Sequence, residues 1–151
     1  MKRWLSPLLA ALLLLTSDGA VAQGDEPSLR IRLTAGETVL YATLEDNSAS
    51  RDLLSRLPLS LDWQDYNATE KIAYPEAPLE LSDALDNCDP DVGTLAYYAP
   101  WGNLCLFYRD FRHSEGLVPL GHIEGDVEAL TAFEDGFVML MERANEPASA
   151  S

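Results

Sequence analysis

The sequence predicts a mainly-β protein whose short strands close, or nearly close, into a barrel with two short helices. Three observations carry this. Short runs of alternating apolar and polar residues recur along the chain, turn residues separate them, and only two stretches have helical spacing. The chain has 151 residues and no visible internal repeat, which suits one domain around one core.

Lys2 and Arg3 precede an apolar run from Leu5 to Leu15, and Ala20-Val21-Ala22 suits a cleavage site. That order is the pattern of a signal peptide, and the run is short for a membrane span. The expectation is removal of residues 1–22 before Gln23, and export as a soluble periplasmic or secreted protein. No cysteine follows Ala22 to take a lipid anchor. Residues 23–27 are expected to form a short linker, residues 28–142 the domain, and residues 143–151 a small, polar, disordered tail.

Within the domain, Ser28–Thr34 alternates polar and apolar without a fault, so it reads as a half-buried strand. Ala35-Gly36 turns the chain into a partner strand, Thr38–Leu44. Ala49, Leu53, Leu54 and Leu57 then share one helical face, with Asn47 or Ser48 as cap and Pro58 as stop. Leu59, Leu61 and Trp63 alternate with Ser60, Asp62 and Gln64 as a third strand, and Lys71–Tyr74 reads as a short fourth. Residues 76–92 contain Pro78, Pro90 and several Asp and Asn, which predicts a long surface excursion. Leu95–Ala99 and Leu104–Tyr108 flank Pro100-Trp101-Gly102-Asn103, a strand, turn and strand. A polar connection, Arg109–Gly116, leads to a strand at Leu117–Ile123 interrupted by Pro119 and Gly121. Val127, Leu130 and Phe133 mark a second helix opened by Asp126, and Asp135-Gly136 turns into a last strand, Phe137–Met141.

The formal charge is −15, a field that repels nucleic acid and anionic lipid head groups and makes both poor partners. It also keeps an exported protein soluble, and it leaves room for a cationic partner. Cys88 and Cys105 are the two cysteines. In an oxidising compartment the even count favours a disulfide worth about 3 kcal/mol of loop closure, and the alternative is two buried thiols acting as small hydrophobes. No Cys-x-x-Cys spacing points to a redox-active pair.

The order of pieces resembles a known family. Gly93-Thr94-Leu95, a turn containing Gly102, and the aromatic strand Leu104–Tyr108 look like the cyclophilin run of Gly-x-Leu, Gly-containing loop and Phe-rich strand. Val118-Pro119-Leu120-Gly121-His122-Ile123, followed by Val127–Leu130, resembles the later cyclophilin strand and helix. More closely, Thr69–Tyr74 and Ala96–Leu104 are similar to the small bacterial cyclophilin-like domain proteins. The resemblance covers about the whole expected domain. It implies a closed barrel of about eight strands with two helices, in a family largely without an assigned activity. Some relatives are associated with flavodoxin-like proteins, which implies a redox partner as a third possibility. Prolyl isomerisation by true cyclophilins relies on an arginine in a Phe-His-Arg strand. Here Glu70-Lys71-Ile72-Ala73-Tyr74 stands in its place, and the Gln-Gly-Gly-Asp run that follows is missing. No catalytic residue carries over.

The densest aromatic cluster is therefore the expected site. Glu70, Tyr74, Tyr98, Pro100, Trp101, Asn103, Phe107 and Arg109 are the candidate lining of a groove for a peptide or small ligand. Glu70 and Lys71 are adjacent on a strand, so they face opposite ways and do not make a catalytic pair. The first reading is a non-catalytic binding module. The alternative is a divergent peptidyl-prolyl isomerase, with Arg109 or Arg112 supplying the guanidinium. No cofactor is expected, for want of a nucleotide fingerprint or phosphate-binding loop. No metal is expected either: His113 and His122 stand alone, and the Asn87, Asp89, Asp91 run has Val92 and Tyr98 where a calcium loop needs Gly and Glu.

Overall fold

The computed structural model describes residues 28–144; the expected signal peptide and linker, and the tail from residue 145 on, lie outside the described residues. Among the described residues, ten strands and one α-helix follow one another. They are β1 (Arg30–Ala35), β2 (Thr38–Leu44), α1 (Ser48–Ser55), β3 (Leu59–Tyr66), β4 (Glu70–Ala73), β5 (Asn87–Cys88), β6 (Thr94–Tyr98), β7 (Asn103–Phe107), β8 (Ser114–Glu115), β9 (Leu117–Glu124) and β10 (Phe137–Arg143). Eight of them close a barrel in the order β1-β10-β3-β4-β7-β6-β9-β2, every pair antiparallel. Closure leaves no free sheet edge in the wall, so backbone donors and acceptors pair all the way round.

Inward positions carry the core: Ile31, Leu33, Trp63, Leu95, Tyr97, Leu104, Leu106, Leu120 and Met139 are all sealed from solvent. Each such side chain contributes about 1.5–3 kcal/mol from leaving water. Helix α1 adds Ala49, Leu53 and Leu54 to the same cluster. Its start is capped as the sequence predicts, because the Asn47 side chain accepts from the Ser50 N–H at 2.9 Å. The same side chain donates through Nδ2 to the Pro119 carbonyl at 3.0 Å, and Ser50 Oγ donates to the Leu120 carbonyl at 2.8 Å.

Those two carbonyls lie at a bulge. Leu95 pairs with Gly121 and Ala96 with Pro119, so Leu120 is the extra residue on β9. The strand runs through Pro119 and Gly121 instead of breaking there, because the bulge absorbs the missing proline N–H and turns the freed carbonyls toward α1. Gly121 is required by space: a Cβ would lie 2.3 Å from the Thr43 carbonyl oxygen of the neighbouring strand. The second expected helix is only a 3-10 turn, Glu128–Ala132. Asp126 opens it by accepting from the Glu128 N–H at 2.8 Å, but a single turn is enough to bury Leu130. The last strand also runs further than expected, and Arg143 belongs to it rather than to a tail.

The two segments read as loops pair with each other. Asn87 and Cys88 (β5) align with Glu115 and Ser114 (β8) in a two-stranded sheet outside the barrel. Residues 86–92 and 109–116 thus form a strap over the outer face of β4, β6, β7 and β9. Beneath it Ile72, Ala96, Cys105, Phe107 and Leu117 make a second apolar cluster, with Cys88, Tyr98 and Phe111 packed against it.

Candidate functional site

Alternation along β7 sends Leu104 and Leu106 inward and Asn103, Cys105 and Phe107 outward. The register of β4 places Glu70 opposite Phe107 and Ile72 opposite Cys105, so Glu70 joins the outward set. Where the strap stops short of covering this face, a cleft of about 390 Å³ remains. Its floor is Glu70, Asn103, Cys105 and Phe107. One wall is aromatic. Trp101, in the tight turn between β6 and β7, meets Tyr66 and Tyr98 edge to face, with ring centres 5.6 and 5.4 Å away. The other wall is the strap, where Phe111 stacks on Phe107 at 6.3 Å and Arg112 lies over the Phe111 ring at 4.5 Å. His113 completes that wall, its two ring nitrogens 3.1 Å from Asp89 and 3.4 Å from Glu115.

The floor is a chain of polar groups. Asn103 Nδ2 donates to Cys105 Sγ at 3.2 Å, and the Cys105 thiol donates to the Glu70 carboxyl. Asn103 Oδ1 is buried with no partner. Burial raises the Glu70 pKa to about 7, and the nearby Asp65 charge adds to the rise against the opposing thiol hydrogen bond. Burial likewise pushes the Cys105 thiol well above its ordinary range, and the adjacent Glu70 charge acts in the same direction. Cys105 is therefore a neutral thiol, not a thiolate nucleophile.

Lys71 faces the other way, as its place next to Glu70 predicts. It is only 3% exposed, and its Nζ donates to the Phe133 carbonyl at 3.1 Å and lies 3.3 Å from Asp65 Oδ1. Asp65 also accepts a short hydrogen bond from the Tyr108 hydroxyl. Burial, then that bond, lifts the Tyr108 pKa to about 12.

Five of the eight residues singled out from the sequence come together in the cleft: Glu70, Tyr98, Trp101, Asn103 and Phe107. Three do not. Tyr74 projects past the end of β4 into a separate shallow depression beside Ser60 and Trp63. Pro100 lies under the strap against Gly116, where a Cβ on the glycine would come within 2.9 Å of its ring. Arg109 is turned back, donating to the Tyr108 carbonyl at 2.9 Å and reaching toward Glu128 at 3.9 Å. The expected disulfide is also absent, and Cys88 and Cys105 are both free thiols. Cys105 is engaged by Asn103 and Glu70 on the barrel wall, while Cys88 is held in the strap by its pairing with Ser114.

Sequence reasoning missed Tyr66, Cys105, His113 and Glu115 as lining residues. Tyr66 had a usable signal, since it falls in the outward phase of β3 with Ser60, Asp62 and Gln64, where a large aromatic ring is out of place in a solvated face. The strap residues had none, because a pairing two residues long leaves no periodicity. Among the described residues, no group of three or more His, Cys, Asp or Glu is arranged to hold a metal ion.

Comparison with known proteins bears on the fold. The solution structure of a hypothetical protein from Archaeoglobus fulgidus is similar, with a TM-score of 0.62 and 21% identity, covering 78% of this chain and 96% of that one. No curated sequence matches the chain. Residues 33–141 match the family described as cyclophilin-like, most of the domain from β1 to β10, and the chain belongs to that family.

Proposed function

We propose that this protein, once exported, uses the outer-wall cleft to hold a peptide or small ligand without transforming it. The observation behind the reading is the cleft itself: a concavity of about 390 Å³, aromatic on both sides, with a few convergent polar groups on its floor. The chemistry of the floor favours binding over turnover. Its thiol is held neutral, and its carboxyl has no basic partner on the same strand face.

A second reading has one observation in its favour. Arg112 lines the cleft, so a guanidinium is available to hydrogen-bond a twisting prolyl amide in a divergent isomerase. A protease-coupled assay on proline peptides separates the two. The binding reading expects no turnover above background, together with saturable quenching of Trp101 fluorescence by ligand; the isomerase reading expects turnover that Arg112→Ala abolishes. Trp63 is fully buried, so Trp101 is the reporter among the described residues. Titration with free flavin in the same format tests the flavodoxin-like partner.

A further inference from the structure

Three features of the cleft converge on one ligand class. Tyr66 and Tyr98 each stand steeply against the Trp101 ring, at 86° and 74°, and Trp101 and Tyr66 remain 52% and 42% exposed. Aromatic surface left exposed at such a corner is suited to a cation with no hydrogen bonds to give. The corner opens onto the Glu70 carboxyl, in a protein of formal charge −15 whose field concentrates cations. One neutral acceptor that a primary ammonium would use is withheld, since Asn103 Oδ1 is enclosed beneath the floor. The positive group in the cleft, Arg112, lies over Phe111 on the opposite wall.

We propose that the corner of Tyr66, Tyr98 and Trp101 binds a small quaternary ammonium compound, with its charge facing Glu70. The inference rests on the binding reading of the cleft and names its ligand class. It also makes binding proton-linked. Glu70 faces Cys105 on β7 and, across the cleft, Arg112, His113 and Glu115, while Asp65 on β3 and Tyr108 beyond β7 couple to it by charge from beside Lys71. A bound cation favours the Glu70 carboxylate over the acid, so binding releases a proton and affinity rises from pH 6 to pH 8.

The test is titration with choline and with 3,3-dimethylbutan-1-ol, its neutral isostere, followed by Trp101 fluorescence at constant ionic strength. Choline should bind about tenfold tighter than the isostere, and Tyr66→Ala should remove most of that advantage. Glu70→Gln should weaken choline several-fold, leave the isostere unchanged and abolish the pH dependence; His113→Gln should leave that dependence in place. Calorimetry of choline binding in buffers of different ionisation enthalpy should report proton release that Glu70→Gln removes. Equal or tighter binding of the isostere overturns the proposal while leaving a ligand cleft intact. Saturable binding of a proline peptide with no response to choline does the same. Choline binding that survives both Tyr66→Ala and Glu70→Gln places the cation elsewhere and also overturns it.

Discussion

Strand β7 has two sides, and they are finished differently. Leu104 and Leu106 enter an interior closed by seven other strands and α1, where each inward position meets apolar neighbours from across the barrel. Asn103, Cys105 and Phe107, one residue out of phase, meet only a strap of two short segments. Closure of the sheet guarantees the first environment, whereas nothing in the barrel guarantees the second. The outer face is covered as far as Phe111 and the β5–β8 pairing reach, and the uncovered remainder is the cleft. The inner side thus supplies stability, and the outer side supplies a place where a half-buried acid and an amide oxygen without a partner persist. Such groups would be costly inside.

The largest expected break in this comparison comes from the inner side. Leu106→Ala leaves a cavity in a closed interior and should cost about 3 kcal/mol by urea denaturation, against about 1 kcal/mol for Phe111→Ala, whose ring is only half-buried on the outside. Equal costs would mean that the strap is as integral to the fold as the core. Next in size is the strap's own hinge. Gly116 sits at φ +80° with Pro100 against it, so Gly116→Ala should cost about 1–2 kcal/mol and speed hydrogen exchange at the Ala99 amide, which bonds to the Gly116 carbonyl at 2.9 Å. Unchanged exchange there would separate the strap from the turn that carries Trp101.

A smaller effect concerns Glu70. Its pKa is raised to about 7 in the folded protein from an ordinary value of 4.5, so it stabilises the fold most fully below pH 4.5. That contribution is lost as pH rises through about 7, because the unfolded chain ionises first. Glu70→Gln should therefore stabilise the protein at pH 8 by about 1 kcal/mol, allowing for solvent screening of a half-buried carboxyl, and make no such difference at pH 4. A variant less stable than the parent at pH 8 would show that Glu70 is held as a structural carboxylate. The smallest expectation is zero: with both cysteines free, a reducing agent should leave the melting midpoint unmoved, and alkylation of the unreduced protein after unfolding in denaturant should label two thiols.

Local patterning by itself determined most of the barrel. The faultless alternation of Ser28–Thr34 became β1, Thr38–Leu44 became β2 to the residue, and the Asn47 cap opened α1 where the spacing of Leu53 and Leu54 required a helix. A half-buried strand or a capped helix is encoded by its own side chains, so its neighbours need not be known. The resemblance around Ala99-Pro100-Trp101-Gly102-Asn103 brought half of the cleft with it, because that turn and its two strands are contiguous in the chain. What remained was decided by tertiary structure alone. Pro119 sits within a strand because a bulge and the N-terminus of α1 take up its consequences. Arg109 looks like a groove residue by proximity, yet Tyr108 and Glu128 turn it away. Cys88 and Cys105 share one apolar cluster and remain unbonded, since the strap's pairing and the Asn103–Cys105–Glu70 chain hold them in separate networks. Residues 86–92 and 109–116 come together only across the finished wall of the barrel. Their two-residue ladder has no signature in either segment, because it is created by the surface beneath it.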